Sequence, residues 1–258
     1  MRMDKYESFK RDFYKITGIN LNCYKEKQMK RRLTSLLKRN NFSDFDDYLI
    51  GIKKDNKLLN ELLNYLTINV SEFFRNPVQW RVLEKEIIPE LIKNNRKIKV
   101  WSSACSTGEE PYSLVMLLTK FFPLKEINIL ATDIDEGAIQ KAKIGIYDEK
   151  SLKNVPNEYK NKFFTKIGNT YKIDDKIKQC VDFRKLNLLD DIFPKGFHLI
   201  LCRNVMIYFT EEAKIKLYKK FYESLTDDGI FFVGNTEHII LPDKYNFKPI
   251  KSFFYSKL

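Results

Sequence analysis

A chain of 258 residues with a formal charge of +12 has room for one large core or two modest ones, and residues 1–70 hold half of that charge. No apolar run is long enough to span a bilayer, and the polar N-terminus lacks the apolar stretch of a signal peptide; a cytoplasmic protein without membrane insertion is expected. Four scattered cysteines and two histidines form no Cys-x-x-Cys pair, which points to reduced thiols and argues against a bound metal or a histidine-based triad.

Residues 4–66 carry helical periodicity. Phe9, Phe13 and Ile16 share one face, and Gly18 ends the first helix. Residues 25–39 form an amphipathic helix with Met29, Leu33, Leu36 and Leu37 inward. Lys27, Arg31 and Lys38 project from its opposite face, with Arg32 and Arg39 at the edge. Ser43 is placed to cap a third helix, with Asp46 completing an imperfect capping box. Leu58, Leu59, Leu62, Leu63 and Leu66 continue the pattern, so residues 1–68 read as an all-helical domain. Residues 69–95 read as a linker rich in aromatic and polar groups, up to Pro77, together with a lead-in helix from Val78 to Lys93 that runs into the first strand.

From residue 96 onward strands alternate with helices. Ile98, Val100 and Trp101 form a short strand, Ser102 to Gly108 a small-residue turn, and Pro111 opens a helix whose buried face includes Leu114, Val115, Leu117 and Leu118. Strand, tight loop and helix start make the ligand-binding corner of an open α/β sheet. The loop has neither Gly-x-Gly-x-x-Gly nor a phosphate-loop motif, and Glu109 and Glu110 at the helix mouth disfavour a phosphate. A second strand ends in Asp133, where a ribose diol is gripped in such sheets. A small antiparallel β insertion over about 145–180 contains a hairpin, Phe163–Ile167 and Thr170–Ile173. Strands then start at Val181, Phe197 and Ile230; their ends carry Asn187 with Leu188, and Arg203 with Asn204. The helix Glu211–Leu225 is expected to turn Ile215, Tyr218, Phe221 and Tyr222 inward. Residues 253–256 should add an antiparallel edge strand. The fold class is α/β, a doubly wound, mostly parallel sheet with a β insertion and a helical N-terminal domain. Its crevice offers an acid, small residues and an adenine-edge pair but no phosphate seat, which suits S-adenosylmethionine better than NAD.

With these residues placed, the chain resembles the CheR family, S-adenosylmethionine-dependent enzymes that esterify glutamate side chains on chemotaxis receptors. The resemblance rests on Leu66-Thr-Ile-Asn-Val-Ser-Glu-Phe-Phe-Arg75, Val100-Trp-Ser-Ser-Ala-Cys-Ser-Thr-Gly-Glu-Glu-Pro-Tyr-Ser113, Ala131-Thr-Asp-Ile-Asp135, Asn187-Leu-Leu189 and Cys202-Arg-Asn-Val-Met-Ile-Tyr-Phe209. It implies that Asn69, Ser71 and Arg75 cover the cofactor, and that Glu110 and Asp133 hold its polar parts. Asn187 and Leu188 would flank the adenine, and Arg203 and Asn204 would close the site. Arg75 and Tyr208 would lie nearest the reacting methyl. Ser71 stands where the family usually has threonine, and the hydroxyl is kept. The helical domain would dock the cytoplasmic helical region of a receptor through Arg31, Arg32 and Lys38. Some members grip a receptor's C-terminal peptide with the β insertion; the segment between Phe164 and Ile177 is a few residues short of that version, which argues against a tether here.

Other readings fit less well. Amine-methylating nucleic-acid enzymes place Asn/Asp-Pro-Pro-Tyr/Phe where this chain has Arg203-Asn-Val, and the basic residues lack interleaved aromatics, so no nucleic-acid partner is expected. A catalytically silent adaptor would have no need of Arg75, Glu110, Asp133 and Tyr208 together. A small-molecule carboxyl methyltransferase would not need a basic helical domain. Nothing demands a dimer, and a monomer is expected.

Overall fold

The computed structural model describes residues 5–67 and 69–258, so both ends of the expected domain 1–68 lie outside the described residues. The chain forms two compact units, Met1–Ile68 with Tyr208–Leu217, and Asn69–Ile207 with Tyr218–Leu258. The stretch read as linker and lead-in helix, 69–95, is thus part of the second unit.

The helices of the first unit are α1 (Lys5–Thr17), α2 (Glu26–Arg39), α3 (Phe45–Lys54) and α4 (Asn56–Thr67). Phe9 stacks on Phe13 at 5.6 Å and on Tyr48 at 6.2 Å, and all three rings are fully buried. Gly18, at φ 71°, ends α1 in the left-handed conformation that glycine adopts without penalty. The cap of α3 is not Ser43. Asp44 accepts from the amides of Asp46 and Asp47, while the Ser43 hydroxyl turns to the Asp47 carboxylate. An ionised acid one position later meets the helix dipole as well as the amides, so it takes the cap. The segment Cys23–Lys25 runs beside 208–210, through Lys25 N to Tyr208 O at 2.9 Å and Thr210 N to Cys23 O at 2.9 Å.

The second unit begins with α5 (Pro77–Val82) and α6 (Ile88–Asn94), joined by a π-turn over Leu83–Ile87. Pro89 explains the turn: a ring without N–H cannot follow a regular ladder, and the wider turn gives it room. The alternation that follows is β1 (Val100–Ser102), α7 (Glu109–Leu118), β2 (Ile129–Asp133), α8 (Glu136–Ile144), β3 (Ile146–Asp148), α9 (Asn157–Phe163), β4 (Phe164–Ile167), β5 (Thr170–Ile173), α10 (Asp175–Lys178), β6 (Val181–Lys185), β7 (Phe197–Cys202), α11 (Glu211–Ser224), β8 (Leu225–Val233), β9 (Phe247–Lys251) and β10 (Phe254–Lys257).

The main sheet has the order β6-β2-β1-β7-β8-β10-β9, with β6, β2, β1, β7 and β8 parallel and β10 antiparallel to both of its neighbours, β8 and β9. From β1 the chain steps outward to β2 and β6, then returns to β7 and leaves the other way. The switch point therefore lies between β1 and β7, where such sheets bind ligands. Both faces are covered: Val100 packs in the cluster containing Leu114 and Leu118 of α7, whereas Trp101 meets Phe193, Phe197 and Phe221 at 5.0, 5.4 and 5.7 Å. The β insertion is a three-stranded sheet, β3-β5-β4, with one strand more than the predicted hairpin. Ile146–Asp148 has strand-forming residues but is only three positions long, too short for an alternation to be read. The terminal strand β10 is not at the edge as expected; it lies between β8 and the unanticipated β9, whose Pro249 suits an edge position. Ile215 is 46% exposed, against the inward orientation read from periodicity. Among the described residues no helix is long and apolar enough to cross a membrane.

Candidate active site

The carboxyl ends of β6, β2, β1 and β7 are neighbours, so Asn187, Asp133, the 103–110 loop and Arg203 come together along one rim, as the strand reading required. The loop after β1 is held on both sides: Ser103 N and Oγ donate to Leu201 O at 2.9 and 2.8 Å, and Cys105 N donates to Thr132 O at 2.9 Å. Small residues are needed at its tip. Gly108 has φ 93°, and a Cβ there would lie 2.8 Å from the Ala142 methyl and 3.1 Å from Tyr147 Oη.

Asp133 is 9% exposed. Its Oδ2 accepts from Ser106 N at 2.7 Å and its Oδ1 from Asp135 N at 3.0 Å. Burial pushes its carboxyl up to about 6, against the pull of those amides. Each oxygen keeps acceptor capacity after its amide, so a pair of hydroxyls can still be bound. Asn69 ties this corner together. Its Nδ2 donates to Asp135 Oδ2 at 2.6 Å and its Oδ1 accepts from Ser106 Oγ at 3.1 Å. At the end of β6, Asn187 Oδ1 accepts from Leu189 N at 3.0 Å and the Leu188 side chain is buried.

The two adjacent acids at the start of α7 face different surroundings. Glu110, expected at the mouth, turns inward to accept from Ser102 Oγ at 2.8 Å and from Arg203 Nη1 at 3.1 Å. Arg203 is buried beside it, and its Nη2 donates to Arg75 O at 2.8 Å, Asn76 Oδ1 at 3.3 Å and Gln79 Oε1 at 3.2 Å. Burial lowers the Arg203 pKa, and Glu110 opposes that shift. Its Nε is buried with no hydrogen-bond partner among the described residues. Arg203 therefore pins the 75–79 turn to the end of β7 and keeps one donor in reserve. Glu109 instead joins Asn69, Ser71, Thr107, Lys141 and Tyr147 around an open cavity of about 680 Å³. Burial raises its pKa, while hydrogen bonds from Thr107, at 2.7 Å to Oε2, and Ser71 lower it.

The 69–76 segment is anchored by its aromatics. Phe73 meets Tyr147 at 4.8 Å and Phe164 at 5.2 Å; Phe74, at φ 50°, donates its amide to Ser113 Oγ at 3.0 Å. Arg75 projects half-buried, and its guanidinium donates one hydrogen bond among the described residues, Nη1 to Val70 O at 3.0 Å. Asn204, at φ 61°, donates its amide to Glu237 Oε2 at 2.5 Å.

Other predicted residues lie in the helical unit. Tyr208 borders a small cleft with Lys25, Gln28, Met29, Arg32 and Leu66. Arg31 and Lys38 are exposed on α2. Arg32 is not a free contact: its guanidinium binds Tyr65 O and stacks on the Tyr65 ring at 4.6 Å. Asp135, Lys220 and Glu237 escape the sequence reading, which puts Glu109 at the helix mouth without a role in the site. Glu109 and Asp135 sit one and two positions from chosen acids, and Glu237 follows a strand-end glycine, a weak signal. Lys220 gives none; it reaches from α11 to Leu188 O at 2.9 Å and Asp191 O at 2.6 Å, bracing the loop after β6.

Comparison with known proteins matches residues 69–254 to the family described as "CheR methyltransferase, SAM binding domain" and residues 4–67 to "CheR methyltransferase, all-alpha domain". The "Chemotaxis protein methyltransferase" of Listeria monocytogenes is 41% identical over 253 residues, 98% of this chain and 97% of that one. Its namesake in Borreliella burgdorferi is 37% identical, covering 88% and 85%. "Chemotaxis protein methyltransferase 2" of Vibrio cholerae is 34% identical, covering 89% and 83%.

Proposed function

We propose that this chain, which belongs to the CheR family and is an S-adenosylmethionine-dependent methyltransferase, methylates glutamate side-chain carboxylates of chemotaxis receptors in the cytoplasm. The observation that carries the reading is the match to both family domains over almost the whole chain, joined to a strand order that brings the ends carrying Asp133 and Arg203 to one rim, with Arg203 bonded to the Arg75 carbonyl.

The residues present fit the cofactor. Asp133 has spare acceptor capacity for a ribose diol, and the unpartnered Arg203 Nε suits the carboxylate of an amino acid tail. Asn69 and Ser71 are assigned to its cover, Asn187 and Leu188 to the adenine, and Glu110, Arg203 and Asn204 to the walls. Glu110 acts there by orienting Arg203. When bound, the cofactor supplies an activated methyl on a sulfonium.

The protein's task is then alignment and exclusion of water. A glutamate carboxylate is ionised at neutral pH and carries its own nucleophilic electron pair, so no general base is required. Arg75, with one donor engaged and the others available, orients that carboxylate without burying the attacking oxygen. Tyr208 is assigned to catalysis by the family resemblance alone. Arg31 and Lys38 steer the acidic helical surface of the receptor. The test is transfer of labelled methyl to a purified receptor cytoplasmic fragment, followed by base treatment. Label released as methanol supports a glutamyl ester; base-stable label refutes it.

A further inference from the structure

The turn after β8, Gly234-Asn-Thr-Glu237, carries a buried carboxylate that the reading above does not use. Glu237 Oε2 accepts from Asn204 N at 2.5 Å and Gly234 N at 2.9 Å, and Oε1 accepts from Ile207 N at 3.2 Å. Two of those amides belong to the segment leaving β7 at the rim of the crevice. None of the ion pairs found among the described residues includes Glu237, so this acid is compensated by backbone amides. Burial raises its pKa, and the amides of Asn204, Gly234 and Ile207 oppose the shift.

Burying a carboxylate is expensive unless its hydrogen bonds are complete. A turn that needed only filling would be more stable with an apolar side chain. Three converging N–H donors explain why an acid stands here. An amide could serve two of them with its oxygen, but its NH₂ would then confront the third donor. Gly234 belongs to the same fit. A Cβ at that position would lie 2.2 Å from Glu237 Oε2 and 2.9 Å from Asn204 N, so any side chain would dislodge the carboxylate. Asn204 itself is held at φ 61°, a left-handed conformation that asparagine tolerates and that directs the chain away from β7.

We propose that Glu237 is a positioning residue for methyl transfer: by gripping the amides of Asn204 and Ile207 it holds the β7 exit in the geometry the reaction requires. The proposal rests on the reading that the strand-end crevice is the methyl-transfer site. It assigns Glu237 no contact with cofactor or substrate.

The test uses the full chain carrying Glu237→Gln, Gly234→Ala, or both. Each single variant should lower kcat about 10²-fold, the usual cost of a slightly misplaced site, and, because Asn204 is assigned to the cofactor wall, raise the Kd for S-adenosylhomocysteine by no more than about tenfold. Because both changes break one contact, the double variant should be no slower than the slower single. Amide exchange at Asn204 and Ile207 should accelerate at least about tenfold in Glu237→Gln, the signature of a released loop. Wild-type kcat in either single variant overturns the proposal. So does a loss of product affinity in step with kcat, or multiplication of the two defects in the double variant. If Glu237→Gln is insoluble, Gly234→Ala, which keeps the acid and displaces it, decides alone by the same readings. A wild-type chain that binds the product but methylates no receptor glutamate refutes the substrate reading separately; the amide exchange then decides whether Glu237 holds the loop, and unchanged exchange overturns it.

Discussion

The β1–β2 end of the crevice and its β7–β8 end are each organised by a buried carboxylate, Asp133 in one and Glu237 in the other. They differ in what remains after the backbone has been served. Asp133 accepts one amide on each oxygen and stays slightly open to solvent, so it can still take a ligand's hydroxyls. Glu237 accepts three amides and has a glycine pressed against it, so it can only hold the chain. Arg203 stands between these extremes: Nη1 and Nη2 are committed to Glu110 and the 75–79 turn, and Nε is not. Similar charged groups at neighbouring strand ends are thus divided between binding and scaffolding by how many local partners they already have.

The sharpest way to break this division is Arg203→Ala. It leaves the largely but not fully buried Glu110 carboxylate without its ion-pair partner and cuts the turn loose, which should cost about 3 kcal/mol in denaturant unfolding. Adding Glu110→Gln should recover part of that loss; no loss in the single variant would mean that the pair is not a scaffold. Arg75→Ala probes the opposite kind of arginine. Turnover should fall about 10²-fold or more while S-adenosylhomocysteine affinity stays within about tenfold, and equal losses would contradict an orienting role.

Asp133→Asn should weaken S-adenosylhomocysteine binding about 10- to 100-fold in calorimetry, the value of one hydrogen bond to a charged group. The pH dependence has a defined sign. The Asp133 pKa is raised from 3.8 to about 6 in the folded chain, so its contribution to stability is complete below pH 3.8 and is lost as pH rises through about 6. The ionised form costs the free protein about 3 kcal/mol at neutral pH. Ligand hydroxyls favour that ionised form, so product affinity should tighten between pH 5 and pH 7, and Asp133→Asn should flatten the profile. The smallest effect is expected on α2. Arg31→Glu with Lys38→Glu should raise the KM for a receptor fragment several-fold, less at high salt, and leave product affinity unchanged. Arg32 is unsuitable for that test, since reversing it would break its contact with Tyr65.

Local patterns determined much of this protein. Apolar periodicity located the four N-terminal helices and the parallel strands, because faces that must be buried repeat every 3.6 or 2 residues. Small residues after β1 and an acid at the end of β2 marked the crevice, because close backbone approach and a ribose diol demand those residue types. Tertiary structure alone decided how each acid was used. Glu109 and Glu110 are indistinguishable in sequence, yet the helix turns them about 100° apart, one towards Ser71 and Thr107, the other towards Arg203. The insertion of β10 beside β8 and the three amides converging on Glu237 depend on segments far apart in the chain, which no local pattern records.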